Sequence, residues 1–236
     1  MLIGIVSDIH NKTNKANKII KFLKNLPVND IILLGDYVDD FGDSDIDMSR
    51  VLHWIGECQK DPQIKMLIGN HEASYMCPQM RCSGWSSDKQ WAWNKAVLTK
   101  VFDPTQFQAA IVRDGYYFTH AGIHKNTDFE IQIKLVEDLI YNNTFYYRFD
   151  YHRFDGGENQ NGSILTGRHK YTPLDLKYFQ VCGHTPHENP VIHYDNGTWK
   201  AVELDTNLKH FMVLDTDSHS IEIYDAKTFK MLEYEH

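Results

Sequence analysis

The chain has 236 residues, of which 42% are hydrophobic and 24% charged, an ordinary globular composition. Its net charge of −8 disfavours a general nucleic-acid binder, which usually presents a basic face. No apolar stretch approaches the roughly 20 residues that span a bilayer, so no membrane association is expected. The chain begins with a strand-like run rather than a signal peptide, which predicts a cytoplasmic protein. Its four cysteines lack C-x-x-C spacing and are expected to be reduced.

The first 70 residues alternate short apolar runs with amphipathic segments. Apolar runs bounded by glycine predict buried strands, and spacings of three and four predict helices. This order is a βαβαβ unit, which implies parallel strands with right-handed crossovers. The predicted elements are a strand at Leu2–Val6, a helix at Asn11–Leu26, a strand at Asp30–Leu34, a helix at Met48–Gln59 and a strand at Ile64–Ile68.

The pattern changes after Glu72. Tyr75–Trp93, rich in Cys, Met, Ser and Trp, is interpreted as part of a helical insertion at about 73–109. The insertion would either cover a site or simply pack its aromatic residues. A short helix is predicted at the end of the insertion, at Asp103–Ala109.

The second half predicts a hairpin, a helix, a long loop and then a β-meander. Histidines flank the loop on both sides, so it does not resemble a domain boundary, and we expect a single domain over 1–236. The predicted elements are strands at Ile111–Arg113 and Tyr116–Thr119, a helix at Asp128–Tyr141, an irregular loop at about 142–170, and strands at Tyr178–Cys182, Val191–Tyr194, Trp199–Leu204, Phe211–Leu214 and Ile221–Tyr224.

Several predicted strands end in polar residues, at the edge where ligands bind in open α/β sheets. These residues are Asp8, His10, Asp36, Asn70, His71, His120 and His184. Carboxylates, imidazoles and one amide, with no thiolate, suit Mn, Fe, Zn, Co or Ni. Their number exceeds one tetrahedral site, so a centre of two divalent transition-metal ions, most simply manganese, fits better.

The ordered series D-x-H, G-D-x-x-D, G-N-H-E, H-A-G and G-H-T resembles the calcineurin-like metallophosphoesterase superfamily. The pattern is most similar to the branch of phosphoprotein phosphatases and diadenosine tetraphosphatases. The resemblance covers about three quarters of the chain, from Asp8 to Thr185. It implies an α/β fold, a four-layer αββα sandwich of two mixed β-sheets.

The resemblance also implies a role for each polar residue. The metal ligands would be Asp8, His10, Asp36, Asn70, His120 and His184. Asp8 and His10 would hold the first metal, and Asp36 would bridge both. His71 would act as general acid, oriented by Asp39. The implied reaction is hydrolysis of a phosphate ester or nucleotide polyphosphate by in-line attack of a metal-bridging hydroxide.

Three positions depart from the branch. Asp40 stands where phosphoprotein phosphatases carry a phosphate-binding arginine, and Ile68 replaces an arginine before Gly-Asn-His. Many family members end in G-H-x-H, but here the last position is Pro186, with His187 one residue further. The first metal would then have three protein ligands.

One arginine could compensate for the missing ones. The segment Ser163–Arg168 resembles the part of the branch that brings an arginine to the phosphates, so Arg168 is the candidate substrate-binding residue; a solvated surface charge is the alternative. The aromatic residues of 146–154, beside Arg148 and Arg153, could stack a nucleobase or simply pack on the fold.

Four functional hypotheses remain at the level of sequence, and one of them, a nuclease, is disfavoured by the acidity of the chain and the absence of a basic stripe. The first is a phosphoesterase acting on a small phosphorylated substrate or nucleotide. The second is a serine/threonine protein phosphatase, which Asp40 disfavours, because a carboxylate near an ionised phosphomonoester is repulsive. The third is a non-catalytic scaffold on the same fold, disfavoured by the complete ligand set. Substrate, native metals and oligomeric state stay open.

Overall fold

The computed structural model of the protein describes residues 1–40, 42–144 and 163–233. Within them the strands form two five-stranded sheets. The strands are β1 (Leu2–Val6), β2 (Asp30–Leu33), β3 (Ile64–Met66), β4 (Ile111–Arg113), β5 (Tyr116–Phe118), β6 (Phe179–Cys182), β7 (Val191–Asp195), β8 (Thr198–Glu203), β9 (His210–Asp215) and β10 (Ser220–Asp225). The helices are α1 (Thr13–Lys24), α2 (Asp45–Gln59), α3 (Asn70–Met76), α4 (Ser87–Leu98) and α5 (Phe129–Asn142).

The two sheets are both mixed. The first has the order β10-β9-β1-β2-β3, with β1, β2 and β3 parallel and β9 antiparallel to both β1 and β10. The second has the order β4-β5-β6-β8-β7, with β5, β6 and β8 parallel. The predicted fold of two mixed sheets with helices is confirmed.

Strand alternation decides which side chains fill each layer. Ile3 and Ile5 of β1 share a buried cluster with Phe118 and Val181 of the second sheet, which is the core between the sheets. The intervening position, Gly4, faces α1, where an added Cβ would lie 2.9 Å from Leu23. Helices α1 and α2 pack on that outer face through a separate apolar cluster.

Two predicted elements differ from the structure by more than two residues at an end. The helix predicted at Asp103–Ala109 is wrong: only Pro104–Gln106 form a single 3₁₀ turn. Gln108, two residues after this turn, instead pairs with the chain at the end of β3. Its amide donates to the Met66 carbonyl at 3.0 Å and its carbonyl accepts from the Ile68 amide at 3.0 Å. Helix α2 begins earlier than predicted, at Asp45, because Ser44 caps it.

Within the described part of the chain, no helix is long and apolar enough to cross a membrane. The insertion expected at about 73–109 contains α4 and most of α3. Most of the predicted 142–170 loop, residues 145–162, lies outside the described residues, as do its aromatic residues and Arg148 and Arg153.

Candidate metal centre

Parallel strands from both sheets deliver polar residues to one edge of the sandwich. Each such residue follows the carboxyl end of its strand, where open α/β sheets place ligands. The strand ends are followed by Asp8 after β1, Asp36 after β2, Asn70 and His71 after β3, His120 after β5 and His184 after β6. The two sheets therefore converge on one site.

The backbone of this edge is unusual. Asp8, His10, Asp36, Asp39 and His184 all have φ between 41° and 66°, in the left-handed region that L-residues rarely adopt. Such conformations cost on the order of 1 kcal/mol or more each and cluster at functional sites. The turns that aim these side chains inward are therefore held by their surroundings rather than by local preference.

Two glycines allow the close approach of the turns. A Cβ on Gly69 would lie 2.2 Å from the Asp36 amide nitrogen, and one on Gly183 would lie 2.1 Å from Asp8 Oδ2. No side chain fits at such separations. The glycines of the G-N-H and G-H-T motifs are therefore required because polar atoms of neighbouring turns occupy the space.

Asp36 is the centre of the site. It is 3% exposed, and its Oδ2 lies 3.4 Å from His120 Nε2 and 3.9 Å from both His10 Nε2 and His71 Nε2. Burial would raise the pKa of Asp36, but His120, His71 and His10 together hold it well below its usual range. Asp36 therefore stays ionised, which is the form in which a carboxylate binds a metal ion.

The ligands expected for the second metal come together around Asp36. Candidate ligand atoms of Asp36, His120 and His184 all lie within 4.8 Å of one another. The amide oxygen of Asn70 is 2.9 Å from His120 Nε2. The four residues predicted to surround the second metal are therefore neighbours: Asp36, Asn70, His120 and His184.

The first half of the site lies on the side of Asp36 that faces His10. Candidate ligand atoms of His10, Asp36 and His71 all lie within 4.8 Å of one another. Asp8 does not belong to this group. Asp8 instead accepts hydrogen bonds from Ser7 Oγ and from the His184 amide, at 3.1 and 3.2 Å for its two oxygens. In this arrangement Asp8 links the two sheets.

Electrostatics around Asp8 favour a cation. Burial, followed by the charge of Asp205, raises the pKa of Asp8 well above its usual range. Burial likewise raises the pKa of Asp205, and the charge of Asp36 adds to the effect. These buried carboxylates repel each other, and a divalent cation among them would relieve that repulsion.

His71 and Asp39 form a hydrogen-bonded pair. His71 Nδ1 lies 3.0 Å from Asp39 Oδ2, which leaves Nε2 directed toward Asp36. Burial lowers the pKa of His71, but the charges of Asp36 and Asp39 outweigh it and raise the pKa to about 9. The imidazole is therefore protonated at neutral pH in the metal-free protein, the state a general acid needs.

The helical insertion holds this pair in place. Asp39 Oδ1 accepts hydrogen bonds from the Tyr75 hydroxyl at 2.7 Å and from Lys89 Nζ at 3.1 Å. Lys89 is 4% exposed and also pairs with Asp43 and with the Gly84 carbonyl. Helices α3 and α4 thus supply the groups that fix Asp39, which in turn orients His71.

Glu72 joins the turn after β2 to the start of α3 by hydrogen bonds. It is fully buried, and its carboxylate accepts hydrogen bonds from the amides of Asp36, Tyr37, Val38 and Gly69 at 2.8–3.1 Å. Burial and the charge of Asp36 raise its pKa to about 7. Glu72 therefore holds the strained Asp36 turn against the start of α3.

The substrate-side residues are placed as follows. Arg168 is partly buried and its Nη1 donates to the His184 carbonyl at 3.3 Å, so its guanidinium lies beside a predicted metal ligand. Asp40, expected to repel phosphate, forms an ion pair with Lys12 at 3.0 Å. That ion pair reduces the repulsion on which the expected substrate preference depends.

Sequence analysis missed four residues of this site: Glu72, Tyr75, Lys89 and Asp205. Glu72 was visible as part of G-N-H-E but received no role. Asp205 follows the end of β8 as the candidate ligands follow their strands, but no sequence motif marks it. Tyr75 and Lys89 act through tertiary contacts with Asp39, which no local pattern encodes.

The donor set fits divalent transition metals. His10 Nδ1 lies 2.7 Å from the Asp39 carbonyl and His120 Nδ1 lies 2.8 Å from the Leu34 carbonyl. A ring nitrogen that faces a carbonyl carries a proton, so Nε2, on the side of Asp36, is the nitrogen of both histidines that is available to a metal. This is the orientation of metal-binding histidines, whose second nitrogen is usually fixed by a hydrogen bond.

The fold and this histidine–carboxylate centre are those of a metallophosphoesterase. The calcineurin-like phosphoesterase family matches residues 1–200, and the chain belongs to that family. Its members are metal-dependent hydrolases of phosphate esters. No curated protein matches the chain.

Solved structures share the fold at low identity. A cold-active protein-tyrosine phosphatase of a psychrophilic Shewanella is 14% identical, with a TM-score of 0.56 over 98% of this chain and 80% of that one. A serine/threonine phosphatase of Saccharomyces cerevisiae is 12% identical, with a TM-score of 0.53 over 100% and 81%. A metallophosphoesterase of Sphaerobacter thermophilus is 13% identical, with a TM-score of 0.52 over 100% and 90%.

Proposed function

We propose that the protein is a binuclear metallophosphoesterase that hydrolyses phosphate esters or nucleotide polyphosphates. The observation that carries this proposal is the position of Asp36. Its carboxylate lies between a His10 side and a His120–His184 side, with candidate ligand atoms on both. When bound, the ions supply Lewis acidity toward phosphoryl oxygens and activate the attacking water.

The chain's own residues supply binding and proton transfer. His71 carries its proton on the Nε2 side of the site while Nδ1 is held by Asp39, so it can protonate the leaving oxygen. A positioned general acid contributes about 10²–10⁴-fold in rate. Cations bound at Asp36 would cancel part of the carboxylate charge that raises the pKa of His71 and so bring that pKa closer to neutral pH.

Arg168 is the proposed phosphate-binding side chain. A guanidinium offers paired donors that match phosphate oxygens, and its contact with the His184 carbonyl keeps it beside the centre. We propose nucleotide polyphosphates and diesters as preferred substrates over phosphopeptides, because Asp40 replaces the arginine of protein phosphatases. Asp8 and His10 complete the first metal in this proposal.

A serine/threonine protein phosphatase is the second candidate, and one contact favours it. The ion pair between Lys12 and Asp40 offsets the negative charge that would repel a phosphomonoester. If that ion pair persists with substrate bound, position 40 no longer discriminates against monoesters.

A substrate panel tests the proposal. The manganese-loaded protein is assayed with p-nitrophenyl phosphate, its bis ester, a dinucleoside polyphosphate and a phosphopeptide. We expect hydrolysis that stops on chelation, with polyphosphate or diester turnover above phosphopeptide turnover. Absence of any metal-dependent hydrolysis contradicts the enzyme, and a strong phosphopeptide preference selects the second candidate.

Two substitutions test which residues bind the phosphate and determine the substrate preference. Arg168→Ala should raise KM for every anionic substrate by about tenfold, a loss of about 1.4 kcal/mol typical of a charged hydrogen bond. Asp40→Arg should shift turnover toward monoesters. Arg50→Ala, at an exposed arginine of α2, is the matched control and should change neither.

A further inference from the structure

A second cluster of histidines surrounds Glu203, the last residue of β8. Glu203 is 2% exposed, and its Oε2 lies 2.7 Å from His169 Nδ1 and 3.4 Å from His187 Nε2. Its Oε1 lies 2.6 Å from His193 Nε2. Three imidazoles from three separate segments therefore face one buried carboxylate.

The buried carboxylate of Glu203 needs a compensating positive charge. A buried carboxylate is stable only when a positive group or a metal accompanies it. Among the described residues, every ion pair of Glu203 is with a histidine, and none is with Lys or Arg. Burial opposes ionisation, but hydrogen bonds and charges from His193 and His169 lower the pKa of Glu203, so it remains a carboxylate.

The spacing of the atoms suits a metal ion. Candidate ligand atoms of His169, His187 and Glu203 all lie within 4.8 Å of one another. His193 is outside this group and contacts the other carboxylate oxygen of Glu203. Ligands about 2.0–2.2 Å from a tetrahedral zinc ion are separated from each other by about 3.3–3.6 Å, so small side-chain shifts suffice to enclose one. The rings of His169 and His187 are stacked 5.5 Å apart, and those of His169 and His193 lie 5.6 Å apart.

We propose that His169, His187, His193 and Glu203 bind a third divalent cation, with zinc the best match, at a site separate from the centre around Asp36. Three imidazoles and one carboxylate complete a four-coordinate shell without a solvent position, which is the form of a structural zinc site. The three histidines keep 19–31% of their side chains exposed, which leaves a path for the ion.

The ion would join parts of the chain that are far apart in sequence. His169 follows Arg168, His187 lies in the segment after the G-H-T motif, and His193 and Glu203 lie on the paired strands β7 and β8. It would fasten the segment that carries Arg168 to the second sheet. This consequence, unlike the site itself, rests on the proposed function of Arg168.

A hydrogen-bonded network without metal is the competing interpretation. Three neutral imidazoles can each donate to the carboxylate, which has room for them. That network stabilises the fold but takes up no ion. Metal content therefore separates the two interpretations.

The test counts zinc in the full-length protein. Wild type, Glu203→Gln and His193→Asn are loaded with zinc, freed of excess by gel filtration and measured by elemental analysis. We expect each variant to hold one ion per chain fewer than wild type. His53→Asn, at an exposed histidine of α2, is the matched control and should lose none.

Cobalt(II) supplies a second readout in the Asp36→Asn background. Tetrahedral cobalt has a strong visible band, which should be present in Asp36→Asn and absent once Glu203→Gln or His193→Asn is added. Circular dichroism establishes folding, and His193→Asn, which keeps the buried carboxylate, serves if Glu203→Gln does not fold. Equal zinc content in wild type and variants, or no cobalt band in Asp36→Asn, overturns the site. Neither readout depends on phosphoesterase activity, so failure of one proposal leaves the other standing.

Discussion

The two histidine–carboxylate clusters of the protein are built on different kinds of backbone. Around Asp36 five residues have left-handed φ angles, namely Asp8, His10, Asp36, Asp39 and His184. None of His169, His187, His193 and Glu203 has a positive φ. The first cluster also contains carboxylates that repel one another, and the second has a single carboxylate among imidazoles. Of the two clusters, only the one proposed to react combines backbone strain with repulsion between carboxylates. The cluster around Glu203 has neither, which suits a structural ion.

The largest expected effect is that of Asp36→Asn. Removing the charge shared by both halves of the main centre should release two ions and lower kcat/KM by at least about 10³-fold, or about 4 kcal/mol. The ion at Glu203 should stay. Elemental analysis beside a p-nitrophenyl phosphate assay measures both. Loss of the third ion together with the other two would show that the clusters are not independent.

His71→Ala should slow turnover by about 10²–10³-fold while leaving the metal content unchanged, because His71 is proposed to donate a proton rather than to bind metal. The loss should be smaller for p-nitrophenyl phosphate than for an alkyl phosphate, since a good leaving group needs no acid. Because candidate ligand atoms of His71 lie within 4.8 Å of those of His10 and Asp36, the same variant also tests whether His71 binds metal. An ion lost in this variant would reassign His71 as a ligand.

The sequence marks the residues that the fold gathers around Asp36 and gives no signal for the second cluster. The residues around Asp36 follow short apolar strands, and each strand end marks a candidate ligand. His169, His187, His193 and Glu203 come from a turn, a connection and two strand positions, without shared spacing. Their meeting depends on the pairing of β7 with β8 and on the path of the chain before β6, which only the folded structure specifies.

Lys89 tests the support that the helical insertion gives to Asp39. In Lys89→Met the carboxylates of Asp39 and Asp43 lose the ammonium group that they share, which should lower the free energy of unfolding by about 3 kcal/mol. Turnover should fall by about 10–100-fold, and the acidic-group pKa in the pH–rate profile should shift. Lys95→Met, at an exposed lysine of the same helix, should do neither. An unchanged pH profile would limit Lys89 to a structural role.

The last expected effect concerns pH. His71 and His120 have pKa values of about 9 in the metal-free protein, above the unfolded value of about 6.5. Their stabilising contribution is therefore complete below about pH 6.5 and lost as pH rises through about 9. Metal binding at the main centre should strengthen over the same range, because the ion displaces the proton from His120. Urea unfolding of metal-free protein and manganese titration at several pH values should give opposite slopes.

The most direct test of the binuclear centre is a manganese titration of chelator-treated wild type, with bound metal and hydrolysis of p-nitrophenyl phosphate measured on the same samples. Zinc is first restored to one equivalent, to fill the Glu203 site. The account predicts little activity with the first manganese ion and full activity as the second is bound. Full activity in the metal-free protein, or none with two manganese ions bound, would contradict it.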